Sequence, residues 1–195
     1  MLTNTDIETL APRMGIPLAF CDFKDLLPKK IEPDKLYIIN LEDEQDKESR
    51  EINDGSHWVG FQVRTYKNGR KPEAVYFDSY GKPPPKVVSE RIKSTFGVNV
   101  WSPTKDVQSI VNNACGFYQL AWGHFINDPR FRSGKGLKED TENFLSPFND
   151  LNKTNDYQQN EFILKHFFQA KDPAMRREID LPPIVSTEGS NVVPP

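Results

Sequence analysis

Cysteine is scarce in this chain: Cys21 and Cys115 are the only two among 195 residues. Two isolated thiols cannot make a disulfide framework, so stability has to come from an apolar core. Long apolar runs are missing as well, and none approaches the ~18 residues needed to span a bilayer. The opening stretch, Met1-Leu-Thr-Asn-Thr-Asp, lacks the basic and apolar regions of a secretory signal. The expectation is an intracellular protein, not secreted, in a reducing compartment. Neither charge dominates, and a net charge of -3 argues against a protein dedicated to nucleic acid. Internal repeats are absent too. What is present, 36% hydrophobic and 27% charged residues, is the balance of a soluble chain long enough to bury one core.

The patterning predicts an α+β fold: a small, mostly antiparallel sheet packed by helices, with a central helix beginning at Cys115. Thr5 with Glu8 has the form of a capping box for a first helix ending near Gly15. Leu36 to Leu41 reads as a buried strand, and the acidic run Glu42 to Asp54 as a surface loop. His57 to Thr65 and Ala74 to Asp78 read as two strands of a hairpin, with Asn68-Gly69 between them as the turn signal. A helix is expected from the prolines at 83–85 through Ile92 and Phe96, stopped by Gly97. Val98 to Trp101 suits a short strand. Apolar residues at helical spacing from Cys115 to Ile126 predict the central helix, and two more are expected over Lys138 to Asn149 and Asn155 to Ala170. The domain is expected to occupy 1–170, with 171–195 an extended or disordered tail. Two basic stretches, Arg64 to Lys71 and Arg130 to Lys138, read first as solvated loops and second as a polyanion site.

Cys115 is the most informative residue for chemistry. A cysteine at a helix start meets free N–H groups and a positive dipole end, both of which favour thiolate. Gly116 lets a substrate carbonyl approach the backbone, and the N–H of Cys115 is placed to donate to an oxyanion. Alone, such a cysteine is more often a buried core thiol. His57 changes the balance. Among three histidines it alone opens a strand after a polar loop, where an imidazole can serve as general base, whereas His124 and His166 fall inside predicted helices. Asp78 ends the partner strand and can meet His57 if the hairpin pairs in that register; aspartates after strands otherwise form turns. Gln108, on the approach to Cys115, is a candidate oxyanion donor, with Asn112 and Asn113 as rivals.

His57-Trp58, Phe77-Asp-Ser-Tyr-Gly81, and Gln108 with Ala114-Cys-Gly-Phe-Tyr118, in that order, resemble the adenovirus-type maturation protease, adenain. Enzymes of this type also occur in virophages and polinton-like viruses, and the pattern is more distantly similar to the SUMO-deconjugating proteases. The resemblance runs from about Leu36 to Ile126. It implies a thiol endopeptidase with His57 as base, Asp78 as orienting carboxylate, Cys115 as nucleophile and Gln108 as oxyanion donor. It further implies that Trp58 walls a narrow channel, so that cleavage falls after Gly-Gly or Gly-X sequences. The implied substrates are capsid and core precursor polypeptides during virion maturation, in the virion and at its site of assembly in the host cell. A monomer without membrane contact and without a required cofactor is expected; stimulation by DNA or by a viral peptide is what the resemblance adds. Cys21 is expected to be a buried core thiol. The alternatives are a deconjugating protease for ubiquitin-like proteins, using the same site, and a non-catalytic virion structural or DNA-binding protein.

Overall fold

A computed structural model describes residues 1–171, with the side chains of 169–171 excepted. The first helix, α1, spans Asn4–Arg13. Its capping box lies two residues before the expected one: Thr3 Oγ1 accepts from Asp6 N at 3.2 Å, and Thr3 N donates to Asp6 Oδ2 at 2.8 Å. Aspartate at this position does the work usually given to glutamate. Ile7, Leu10 and Ala11 bury the inner face of α1.

Five strands follow: β1 (Leu18–Phe23), β2 (Leu36–Asn40), β3 (Trp58–Arg64), β4 (Glu73–Phe77) and β5 (Val100–Trp101), in spatial order β1-β2-β3-β4-β5. The central pairs β2–β3 and β3–β4 are antiparallel, whereas β1 and β5 run parallel to their neighbours. The sheet is therefore mixed rather than mostly antiparallel. Both central strands β2 and β3 are buried along their whole length. The expected hairpin pairs Arg64 with Glu73, and Gly69 turns its loop at a φ of 77°. β1 escapes sequence reading because it is a half-buried edge strand with no clean alternation, and its partner β2 is a non-local parallel neighbour.

Four more helices pack around this sheet: α2 (Lys86–Phe96), α3 (Cys115–Asn127), α4 (Leu137–Leu145) and α5 (Tyr157–Lys171). Gly97 closes α2 in the left-handed conformation, with φ 70°. Every residue of α3 from Cys115 to Ile126 is buried, which makes it the axis of the larger core. α4 stops short of the expected Asn149, because Pro147 has no N–H to extend the ladder. Leu164 and Phe168 of α5 are buried, and Phe168 meets Phe117 of α3 edge to face, with centroids 5.5 Å apart. Beyond α5, the tail expected to be extended lies outside the described residues.

One basic stretch needs correcting. Arg64 is not solvated but buried at the end of β3. Its guanidinium reaches Asp140 Oδ2 on α4 and the carbonyl of Ile126 on α3, tying three elements together. The two basic loops also meet, as Arg70 donates to the Lys135 carbonyl and Lys138 N donates to Glu73 Oε2.

Candidate active site

The hairpin brings His57 and Asp78 together. β3 starts at Trp58 and β4 ends at Phe77, so both residues lie just outside the ladder at the same end. Gly60 pairs with Phe77, and the same register carried onward sets His57 opposite Tyr80. His57 Nε2 lies 2.8 Å from Asp78 Oδ1, and both side chains are almost wholly buried. The chain then turns sharply: Gly81 N donates to the Asp78 carbonyl at 2.9 Å. Gly81 has a φ of 66°, and a Cβ there would stand 2.4 Å from the Thr104 carbonyl oxygen, so the turn admits only glycine. Within it, Tyr80 N donates to Asp78 Oδ1 at 2.8 Å. Asp78 is thus a turn former and the partner of His57 at once, through one oxygen.

With Nε2 directed at Asp78, the other ring nitrogen of His57 is the one left for the thiol. Burial disfavours the imidazolium, but hydrogen bonds to Asp78 and Cys115, and their charges, more than compensate and raise it to about 9 from an ordinary 6.5. An imidazole held in its charged form beside a sulfur is the arrangement that thiol nucleophiles use. Cys115 is the first residue of α3 and is 1% exposed. Among the described residues no side chain caps this helix start, which leaves its first N–H groups without that partner. The other thiol, Cys21, lies buried in β1. Burial, with the charges of Glu8 and Asp22, pushes it far above the ordinary range, as fits a core residue.

Gln108 arrives by a different route. Val107 N and Gln108 N both donate to the Ser79 carbonyl, at 2.8 and 3.1 Å. Ser79 Oγ then donates to Gln108 Oε1 at 2.7 Å. That bond turns the amide nitrogen of Gln108 toward the Tyr80 hydroxyl (3.2 Å) and the Asn112 carbonyl (3.0 Å). Neither rival donor is placed comparably. Asn112 sends its amide to Glu161 of α5 at 2.5 Å, and Asn113 is exposed.

Trp58 is buried, and its indole N–H donates to the Leu2 carbonyl at 2.7 Å. Its own carbonyl accepts from Gln119 Nε2 at 3.3 Å, one helical turn beyond Cys115. The open face of Gly116 is covered by Leu2: a Cβ on that glycine would lie 3.1 Å from Leu2 Cβ and 3.2 Å from its Cδ1. Tyr80 stacks on His57 with centroids 4.5 Å apart. Ser79, Tyr80 and Leu2 were not singled out from sequence. The first two lie inside the quoted Phe77-to-Gly81 motif, whereas nothing local marks Leu2.

His124 and His166 sit apart from this group. His124 Nδ1 lies 2.7 Å from the Met14 carbonyl, and His166 stacks on Phe162. Among the described residues, no group of three or more histidines, cysteines or acids is placed to hold a metal ion. Nor is any described helix long and apolar enough to cross a membrane. Compared with family models and with curated proteins, the chain matches none.

Proposed function

We propose that the chain is a cysteine endopeptidase that works by acyl transfer through Cys115. The observation that carries the reading is the contact of His57 Nε2 with Asp78 Oδ1 at 2.8 Å, in a ring whose charged form is favoured by both Asp78 and Cys115. In the proposed cycle the Cys115 thiolate attacks the scissile carbonyl, and the oxyanion draws on the N–H of Cys115 and the amide of Gln108. The carbon–nitrogen bond breaks as His57 gives its proton to the leaving amine, leaving a thioester. Water, losing a proton to His57, then attacks the thioester, and the carbon–sulfur bond breaks to release the acid and restore the thiolate beside the imidazolium. Asp78 holds the ring orientation throughout. The adenain-like order of motifs extends the proposal to small residues before the scissile bond and to capsid or core precursors as substrates.

The test is a thiol-directed peptide electrophile ending in Gly-Gly, with the adduct mapped by mass spectrometry. Labelling at Cys115 that is lost in His57→Ala supports the proposal. Labelling at Cys21, or labelling of Cys115 indifferent to His57, sinks it. Cys115→Ala should abolish cleavage with the fold retained. Parallel assays on peptides and on ubiquitin-like conjugates separate an endopeptidase from a deconjugase.

A further inference from the structure

Gln108 is held through its backbone as well as through its side chain. The Val107 carbonyl and the Gln108 N–H belong to one planar peptide unit, and that unit has partners at both ends. Gln108 N donates to the Ser79 carbonyl at 3.1 Å. At the other end two donors meet the Val107 oxygen: the Tyr118 hydroxyl at 2.9 Å and Asn160 Nδ2 at 3.0 Å. Tyr118 sits on α3 with Cys115, and Asn160 on α5. Both side chains are fully buried. The Asn160 amide is itself fixed in plane. Its Oδ1 accepts from Asn149 N at 2.6 Å, and its Nδ2 donates to the Asn149 carbonyl at 2.9 Å. A primary amide has two N–H bonds, so the second is the one given to Val107. The next residue of α5, Glu161, accepts from Asn112 Nδ2 at 2.5 Å. Two successive residues of one helix thus grip the chain on its way from Val107 to Cys115.

We infer that Asn160, together with Tyr118, is a positioning residue that sets where the Gln108 amide stands relative to Cys115. This rests on the protease reading and deepens it. A donor stabilises developing charge only if it is already in place, and a misplacement of about 1 Å can cost on the order of 10²-fold in rate. Tyr118 lies one helical turn beyond Cys115, so its bond references the Gln108 peptide to the nucleophile. Asn160 brings a second donor to the same oxygen from a different element, which keeps the peptide plane from turning about the first bond. The competing account is that Asn160 only docks the chain around Asn149 onto α5. Docking alone stabilises the fold but leaves the Gln108 amide where it is.

The experiment uses the full chain as wild type, Asn160→Leu and Tyr118→Phe, each also combined with Gln108→Ala. Leucine keeps the volume without the amide, and phenylalanine loses only the hydroxyl. Peptide cleavage is measured as kcat and KM at a temperature where every variant is folded. Asn160→Leu should lower kcat by about tenfold with KM little changed, short of the loss of about 10²–10³-fold expected for removing the donor itself. Tyr118→Phe should lower it by about fivefold, the scale of one neutral hydrogen bond. Combined with Gln108→Ala, neither should lower kcat further, although the melting temperature still falls. Equal kcat losses with and without Gln108 overturn the inference, as does an unchanged kcat. A second readout needs no activity: the side-chain NH₂ pair of Gln108 in proton–nitrogen NMR spectra, assigned by its absence from Gln108→Ala. In both variants this pair should shift and exchange faster with water, and a pair left in place overturns the inference. If labelling of Cys115 proves independent of His57, the protease reading fails, and the NMR pair alone decides whether Asn160 and Tyr118 hold the amide. Should Asn160→Leu lose its fold, Tyr118→Phe carries both readouts with the same outcomes.

Discussion

Tyr80 covers the face of His57, with ring centroids 4.5 Å apart and planes inclined by 28°, while its backbone N–H donates to Asp78 and its hydroxyl accepts from Gln108. One residue in a turn thus touches three members of the candidate site. Replacement by phenylalanine keeps the stack and loses the hydroxyl, whereas alanine loses both. Peptide cleavage should therefore fall further in Tyr80→Ala than in Tyr80→Phe, and the two rates measured side by side check this.

Gln108 should carry a cost confined to the chemical step. Gln108→Ala is expected to lower kcat by about 10²–10³-fold with little change in KM, the range for loss of one oxyanion donor. Ser79→Ala removes only the bond that orients the amide, so a loss of about tenfold is expected, smaller than for the donor itself. The double variant should be no worse than Gln108→Ala, because Ser79 acts through that side chain. Additive losses would show that Ser79 has a separate role.

The pH dependence follows from His57. Its folded value, about 9, stands above the ordinary 6.5, so the stability it contributes is fully present below about 6.5 and is lost as pH rises through about 9. Melting temperature should decline across that window, and cleavage should fall along an alkaline limb near 9 as the imidazolium that protonates the amine disappears. Asp78→Asn removes a raising influence and should move both toward neutral pH. A limb that stays in place in Asp78→Asn argues against the pairing as its origin.

The buried pair of Arg64 and Asp140 should dominate stability away from the site. Among the described residues, Arg64→Met leaves the Asp140 carboxylate inside with the Ser133 N–H and hydroxyl as the donors to its side chain. Loss of one partner of a buried pair costs about 3–5 kcal/mol, to be read from denaturant unfolding. Arg64→Met with Asp140→Leu should recover part of that loss.

At the Asp78–Gly81 turn, Gly81→Ala forces a positive φ and a contact of 2.4 Å with the Thr104 carbonyl. A cost of about 2 kcal/mol or more is expected, since strain and a backbone clash combine. Cleavage should fall with it, because this turn carries Asp78 and Tyr80.

Much of the fold is legible where the signal is local. Gly97, Asn68-Gly69 and the apolar spacing after Cys115 each specify their own conformation, and α2, the hairpin and α3 stand where these residues place them. Elements whose cause is distant are not legible in the same way. β1 exists because β2 offers it a parallel edge, and Arg64 is buried because Asp140 waits on another element. The same division holds in the site. His57, Asp78, Cys115 and Gln108 could be singled out as candidates, Gln108 chiefly through the resemblance, and the first two meet because the hairpin pairs in the register on which that expectation depended. Leu2 carries no such mark, for its contacts are with Trp58 and Gly116 far along the chain.

A single oxygen of Asp78 both closes the turn, through Tyr80 N, and receives the imidazole of His57. Turn and ring thus share one acceptor, beside the bond from Gly81 N to the Asp78 carbonyl that also closes the turn. Under the proposed function, activity is thereby coupled to the local opening of a few residues. Amide exchange at Tyr80 should keep step with activity as denaturant is added, well before the sheet itself gives way.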